Sequence, residues 1–186
     1  QKPFKLQGTT VAELGATKIY VYESNEDGKF TTLTDSFEVK KGKFSYKTPV
    51  QGIKLCRLQM QGNKETQNYT IPLYMISGET AKLDIQASEY FYDGSAFYKS
   101  YGDADKFYTA LTKPLIDFSQ TANDKLKDTP EDKRQDVLQG LIAEYNTMQK
   151  DASEKQKTYL EEHKNDEGAM IFFLNRMGAT EMSEKM

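Results

Sequence analysis

One cysteine, Cys56, and one histidine, His163, are all that 186 residues contain of either type. A single thiol excludes a disulfide within the chain and any Cys-x-x-Cys redox pair. A single imidazole excludes a multi-histidine metal site. Long apolar runs are missing too: the longest, Ala169 to Leu174, is far too short to cross a membrane. Nor is one sign of charge in excess. The 25 basic residues are set against 28 acidic ones, giving a net charge of −3 with both signs interspersed. No basic field exists to hold a nucleic acid or an anionic membrane. No signal peptide opens the chain. It starts at Gln1-Lys2-Pro3, as a processed or trimmed protein would, so a cytoplasmic location does not follow.

What the chain has is enough apolar and aromatic mass for a packed core. Hydrophobic residues are 37% and 22 residues are Phe or Tyr, which argues against disorder. The length fits one large domain, or a β domain followed by a helical one. A chain of this size buries roughly 70% of its unfolded surface and needs no disulfide or metal staple.

The first half carries strand patterns. The segment from Asp35 to Tyr46 reads as two short strands joined by a tight turn, because Phe37 and Val39, then Phe44 and Tyr46, alternate with polar residues. Gly42 sits where that turn needs a positive φ. Phe4 to Gly8 and the β-branched, aromatic run Lys18 to Tyr22 read as strands before it. Asn25 to Gly28 is a turn, and Phe30 to Leu33 a return strand. After Tyr46 come strands at Leu55 to Met60, Tyr69 to Ile76 and Leu83 to Ile85, with Cys56, Leu58 and Met60 on one face. Pro72 marks an edge or a bulge. Seven or eight short strands spaced by turn signals predict an antiparallel β-sandwich or open barrel over residues 1–94.

Near Ser95 the period changes. Phe97, Tyr101, Ala104, Tyr108, Leu111, Leu115, Phe118 and Ala122 recur in steps of four and three, one stripe of a helix that Gly102 and Pro114 are expected to break or kink. Thr129-Pro130-Glu131-Asp132 reads as a helix start, with Thr129 as N-cap. Leu138, Leu141, Tyr145, Met148, Ala152 and Tyr159 follow as a second stripe, and Ala169 to Met177 as a short, very apolar helix. Residues 95–186 are therefore expected to form a helical hairpin plus a short C-terminal helix, packed on the sandwich. The charge run Asp151 to Lys157 reads as a solvated helix face. The apolar character of Met170 to Leu174, so near the end, is the pattern of a protein that continues.

No residue set carries recognisable catalytic chemistry. Cys56 would need a nearby base, a cation or a helix N-terminus to become a nucleophile; in a strand beside Leu58 and Met60 it reads as a core residue. His163, in Glu161-Glu162-His163-Lys164, suits a helix C-terminus. Asp103 and Asp105 lack the further ligands and the glycine of a calcium loop, since Lys106, Phe107 and Tyr108 follow, and Asp103 reads as the N-cap of a restarted helix. Asn68-Tyr69-Thr70 matches a glycosylation triplet of no discriminating power. A single histidine and no recognisable nucleophile motif leave little on which to build a hydrolase, the third reading. No metal site and no cofactor is expected.

The aromatic cluster has two readings. Tyr90, Phe91, Tyr92, Phe97, Tyr98, Tyr101, Phe107 and Tyr108 fall within nineteen residues. Exposed, Tyr90, Tyr92, Phe97, Tyr98 and Tyr101 would offer flat rings and hydroxyls to a glycan, a peptide or a protein. Buried, they would form the seam between sandwich and helices, and the stripe spacing at 97, 101, 104 and 108 favours this reading.

Five stretches form a set: Ile19-Tyr20-Val21-Tyr22, then Asp35-Ser36 with Gly42-Lys43-Phe44-Ser45-Tyr46, then Ile71 to Ile76 with Gly78 and Ala81 to Ile85, the Gly94-Ser95 pair, and Tyr159 to Leu174. Together they resemble a domain of unknown function found at the N-terminus of Bacteroidetes cell-envelope thiol-disulfide oxidoreductases. In that family a thioredoxin-like domain with a Cys-x-x-Cys pair follows; this chain contains neither, so no residue inherits a catalytic role. The resemblance implies a non-enzymatic accessory domain, periplasmic or anchored at the outer membrane. Such a domain would position, dimerise or present substrate to a thioredoxin-like domain in cis or in trans. The partners it implies are that domain and a second copy of the chain, with no nucleic acid. The rival expectation is a stand-alone glycan- or peptide-binding module using the tyrosine-rich region.

Overall fold

The computed structural model describes residues 2–25, 27–63 and 69–176. The chain divides into two compact units, Gln1–Lys99 and Ser100–Met186. The first is an eight-stranded sandwich: β1 (Pro3–Thr10), β2 (Lys18–Glu23), β3 (Thr32–Glu38), β4 (Lys43–Pro49), β5 (Ile53–Gln61), β6 (Thr70–Ile76), β7 (Thr80–Ile85) and β8 (Tyr90–Gly94). One sheet has the order β4-β1-β7-β8 and the other β3-β2-β5-β6. The α+β architecture of a sandwich followed by helices is as the patterning predicts.

Alternation puts every second side chain inside. Phe4 and Leu6, Phe44, Ala81, Leu83 and Ile85, and Tyr92 are buried from one sheet. Ile19 and Val21, then Cys56, Leu58 and Met60, then Ile71, Leu73 and Met75 are buried from the other. Pro72 lies in β6, an edge strand, where a missing N–H breaks no ladder.

Two details differ from expectation. The sandwich is not wholly antiparallel: β1 and β7 run parallel, from Lys5 beside Thr80 to Thr10 beside Ile85. Parallel neighbours need a long crossover, and here β2 to β6 all intervene in sequence. The segment around Gly42 is also not a hairpin within one sheet. Lys40 and Lys43 exchange two backbone hydrogen bonds, 2.9 and 3.0 Å, around Lys41 and Gly42, both at positive φ. That is the geometry of a type I′ turn. Beyond that bridge the arms part, β3 pairing with β2 and β4 with β1. The turn is therefore a corner between sheets. Rings close it: Phe37 stacks on Tyr46 at 4.7 Å, and the Tyr46 hydroxyl donates to the Asp35 carboxylate at 2.7 Å. A Cβ on Gly42 would meet the Thr10 carbonyl oxygen at 2.8 Å, a second reason for glycine there. The strand expected at Phe30 to Leu33 and the first arm of this segment are one strand, β3, with a register shift opposite Val21 and Tyr22.

The second unit holds most of α1 (Ala96–Lys127), all of α2 (Arg134–Glu162) and α3 (Glu167–Arg176). The Phe107–Tyr159 and Phe118–Tyr145 ring pairs run in opposite order along α1 and α2, so the two are antiparallel. Gly102 and Pro114 do not break α1. Pro114 is exposed, and the apolar stripe continues on both sides of it, so the lost hydrogen bond is tolerated on the solvent side. Asp103 is consequently interior to α1 and not an N-cap; the helix has already begun where the Ser95 carbonyl accepts the Lys99 N–H. Thr129 does not cap α2 either. Its hydroxyl donates to the Lys125 carbonyl in the last turn of α1, and a 3-10 turn at Glu131–Lys133 leads into α2. Lys155 and Asp151 pair at 3.0 Å on the exposed face of α2.

Candidate functional site

The only thiol is sealed in the sandwich. Cys56 is fully buried, with Sγ 3.7 Å from the Met75 sulfur. Burial pushes its pKa up from 9.0 to about 11, against the pull of Lys54. A thiol held in its protonated form is neither nucleophile nor redox centre. The same burial sets a pH dependence. Above pH 9 the unfolded chain releases this proton while the folded one keeps it until about 11, so stability falls as pH rises through that window. Burial raises Tyr46 and Tyr69 from 10.0 to about 12, which extends the loss upward. We expect the urea midpoint to drop between pH 8 and pH 11, with Cys56 unlabelled by a thiol reagent in the folded protein at pH 8. A midpoint that holds or rises would contradict the assignment.

His163 closes α2. Its N–H donates to the Tyr159 carbonyl at 3.0 Å, its ring stacks on Tyr159 at 4.1 Å, and Nδ1 lies 2.8 Å from the Asp166 carboxylate. That is a structural cap. Asp105 is half-buried near Arg176, 3.9 Å away; burial raises its pKa and Arg176 opposes the rise. Among the described residues no group of three or more His, Cys, Asp or Glu could hold a metal ion. Asn68 of the glycosylation triplet lies outside the described residues.

The residues named as a possible aromatic binding face are largely buried, in keeping with the favoured reading of burial. Tyr92, Phe97, Tyr98 and Tyr101 are buried, and Tyr90 is half-buried with its ring 5.7 Å from Tyr92 and 6.0 Å from Tyr69. The cluster is divided between the units. Phe97 and Tyr98 complete the core of the first, against Tyr74 and Phe4. Tyr101, Phe107 and Tyr108 join the second, around Phe172 and Phe173. Hydroxyls that could have met a ligand serve the fold: Tyr92 donates to the Pro72 carbonyl and Tyr98 to the Tyr74 carbonyl, both on edge strand β6. The physical reason is size. A tyrosine buries a large ring at low entropy cost wherever its hydroxyl finds an acceptor, and the open side of β6 supplies one.

Exposed apolar side chains lie on both units: Leu33 and Ile53 on the sandwich, and a group on the helices. Ile116, Leu138 and Ile142 are 55%, 36% and 51% exposed. They line two grooves of ≈ 480 and ≈ 210 Å³ on the α1–α2 pair, which share Ser119, Asn123 and Tyr145 and so run into each other. Part of the stripe read from sequence is the seam between the helices, where the Phe118 ring meets Tyr145, while Leu138 of that stripe is exposed and lines a groove. Beside the seam runs a second line that the reading missed, Thr112, Ile116, Ser119 and Asn123 on α1, in steps of four, three and four. Its hydroxyls and amide hid it from a search for apolar periodicity.

These features define a β-sandwich with a helical extension. The chain belongs to the family described as "Domain of unknown function (DUF4369)", whose model matches residues 4–105. The match takes in the sandwich and the opening of α1, and leaves α2 and α3 outside. No match is found among curated proteins.

Proposed function

We propose that this chain is a non-catalytic accessory domain of an envelope thiol-disulfide oxidoreductase. It positions, dimerises or presents substrate to a thioredoxin-like domain supplied in cis or in trans, on the periplasmic side or at the outer membrane. The carrying observation is the state of Cys56: the one thiol is sealed in the core and held protonated, so thiol chemistry associated with this domain must come from elsewhere. The sequence resemblance supplies the partner class, and membership of the domain family is consistent with it. Among the described residues no helix is long and apolar enough to cross a membrane, so attachment to an envelope would be through another segment or a lipid.

The test is an insulin-reduction assay. The chain alone is expected to be inert. Added to a Bacteroidetes thioredoxin-like domain, or fused ahead of it, the chain should change KM for a protein disulfide and leave the rate on a small disulfide unaltered. Turnover by the chain alone would reject the proposal. So would identical kinetics with and without the chain on every protein substrate tried.

A further inference from the structure

The outer face of the β4-β1-β7-β8 sheet gathers lysines from separate stretches of the sequence. Lys43 and Lys47 point outward from β4, Lys5 from β1 and Lys82 from β7, each alternating with buried neighbours, and all four are exposed. None of them forms an ion pair among the described residues. Asp84 and Asp93, the acids of these strands, are engaged elsewhere. Asp84 accepts from the Thr9 hydroxyl at 3.4 Å and the Gln86 amide at 2.7 Å, and Asp93 accepts the Gly94 N–H at 2.9 Å. Lys5 stands directly across from Lys47 in the register, and like charges so placed are destabilising. The cations of β2 and β5, on the other sheet, are all engaged: Lys18 lies over the Tyr20 ring, Lys54 pairs with Glu23 and Arg57 lies over Phe30. Lysines on an edge strand deter strand pairing, which accounts for β4. Lys5 and Lys82 sit on interior strands, where no edge needs guarding.

We propose that this face docks on an anionic lipid surface. Its side-chain chemistry chooses among polyanions. Between the lysines, the outer positions of β4, β1 and β7 hold Ser45, Gln7, Thr9 and Thr80, with no apolar, aromatic or arginine side chain. A protein interface needs buried anchors of those types and is depleted in lysine. A nucleic acid is held by rings that stack on its bases and by bidentate arginine. A bilayer of anionic headgroups needs only hydrated positive charges spread over a flat face, which lysines on three adjacent strands supply. Set against Asp84 and Asp93, the four lysines leave a net charge of about +2. At about fivefold per charge, that predicts roughly 25-fold stronger partitioning onto an anionic than onto a neutral bilayer. An attraction of this size does not anchor a protein alone; it orients a domain that another segment or a lipid already holds at a membrane. The overall charge of −3 conceals the face, because the lysines meet only in the folded sheet. The inference does not rest on the accessory role, since binding to lipid involves no thiol-disulfide exchange.

Co-sedimentation of the full chain with vesicles tests the proposal. Vesicles of phosphatidylcholine and phosphatidylglycerol in equal parts should bind it more than about tenfold better than phosphatidylcholine alone at about 0.1 M salt. The preference should vanish near 1 M, where the screening length has fallen from about 10 to 3 Å. Lys47→Glu and Lys5→Glu each lower the charge of the face by two and should erase most of the preference. Each also turns the Lys5–Lys47 like-charge pair into an opposite-charge one, so neither variant should melt below the parent. That separates lost binding from lost folding. Lys155→Glu makes the same change in net charge on the exposed face of α2 and should leave partitioning within about twofold. Equal binding to both kinds of vesicle overturns the inference, as does a loss with Lys155→Glu as large as that with Lys47→Glu. Capture on polyglutamate-coated beads without binding to the anionic vesicles also overturns it, and assigns the face to an acidic polypeptide.

Discussion

Replacing Gly94 with alanine is expected to destabilise the sandwich by more than about 3 kcal/mol, the sum of a backbone strain of about 1–3 kcal/mol and a clash that cannot relax. Gly94 ends β8 at φ +121°, a conformation L side chains rarely adopt. A Cβ there would sit 2.3 Å from the Thr80 carbonyl oxygen and 3.2 Å from both the Ala81 Cα and the Lys82 nitrogen. All three are backbone atoms of β7, so no rotamer change makes room. The adjacent Ser95 explains why the backbone is held there. Its N–H donates to the Thr80 carbonyl at 2.9 Å, and its hydroxyl both donates to that carbonyl at 3.0 Å and accepts the Thr80 N–H at 3.1 Å. Strand end and helix start are thus fastened to the first residue of β7. Thermal unfolding should show the variant melting at least 10 °C below the parent, since about 1 kcal/mol shifts a domain of this size by several degrees. A shift under 3 °C would show that β8 moves freely away from β7. Ser95→Ala should cost about 1–2 kcal/mol, because it removes hydrogen bonds and brings no steric conflict.

Gly94-Ser95 also shows where sequence reading succeeds and where it stops. The pair is visible as a motif, but its cause is a contact with Thr80, a residue fourteen positions earlier that no local pattern points to. Strand existence and inner-face membership were readable because period-2 alternation is local: Cys56, Leu58 and Met60 are inside as their spacing requires. Pairing was not. The arms around Gly42 look like partners, and only β1 and β2, each already seeking a neighbour, draw them into different sheets. Helix boundaries failed for a related reason. Gly102, Pro114 and Thr129 carry strong local signals, but a continuous apolar stripe outweighs one lost hydrogen bond in a helix of 32 residues. The aromatic cluster was legible as a concentration of rings and not as a location, because a tyrosine is equally suited to a core with a free carbonyl and to a wet interface. The second line on α1, Thr112, Ile116, Ser119 and Asn123, could have been found by looking for missing charge rather than for apolar spacing.

Tyr98 separates the two things a buried tyrosine does, and its two variants should separate accordingly. The side chain is 1% exposed, the largest fully buried one among the described residues. Its ring lies 6.0 Å from Phe4 and edge-on to Phe97 at 5.2 Å, and its hydroxyl donates to the Tyr74 carbonyl on β6. Burial raises its pKa well above the ordinary phenol value, as expected of a hydroxyl that donates inside the core. Tyr98→Ala removes the whole ring and leaves a cavity at the point where the first turn of α1 completes the core. A loss of about 3–5 kcal/mol is expected, as for other large buried aromatics. Tyr98→Phe keeps the ring and removes the hydroxyl's hydrogen bonding to the β6 backbone, at the Tyr74 carbonyl and at Ile76, so about 1–2 kcal/mol is expected. Urea denaturation of the three proteins provides the comparison, and the ordering carries the argument. Equal losses in both variants would mean that the hydroxyl holds the edge strand and that the ring contributes little. A negligible loss for phenylalanine would mean that water replaces the hydroxyl at β6, and the edge would then be open enough to pair with an extended peptide. The expected intermediate value instead marks β6 as an edge closed by tyrosine hydroxyls, with Tyr92 doing the same at Pro72, so that this side of the sandwich does not recruit a strand from another chain.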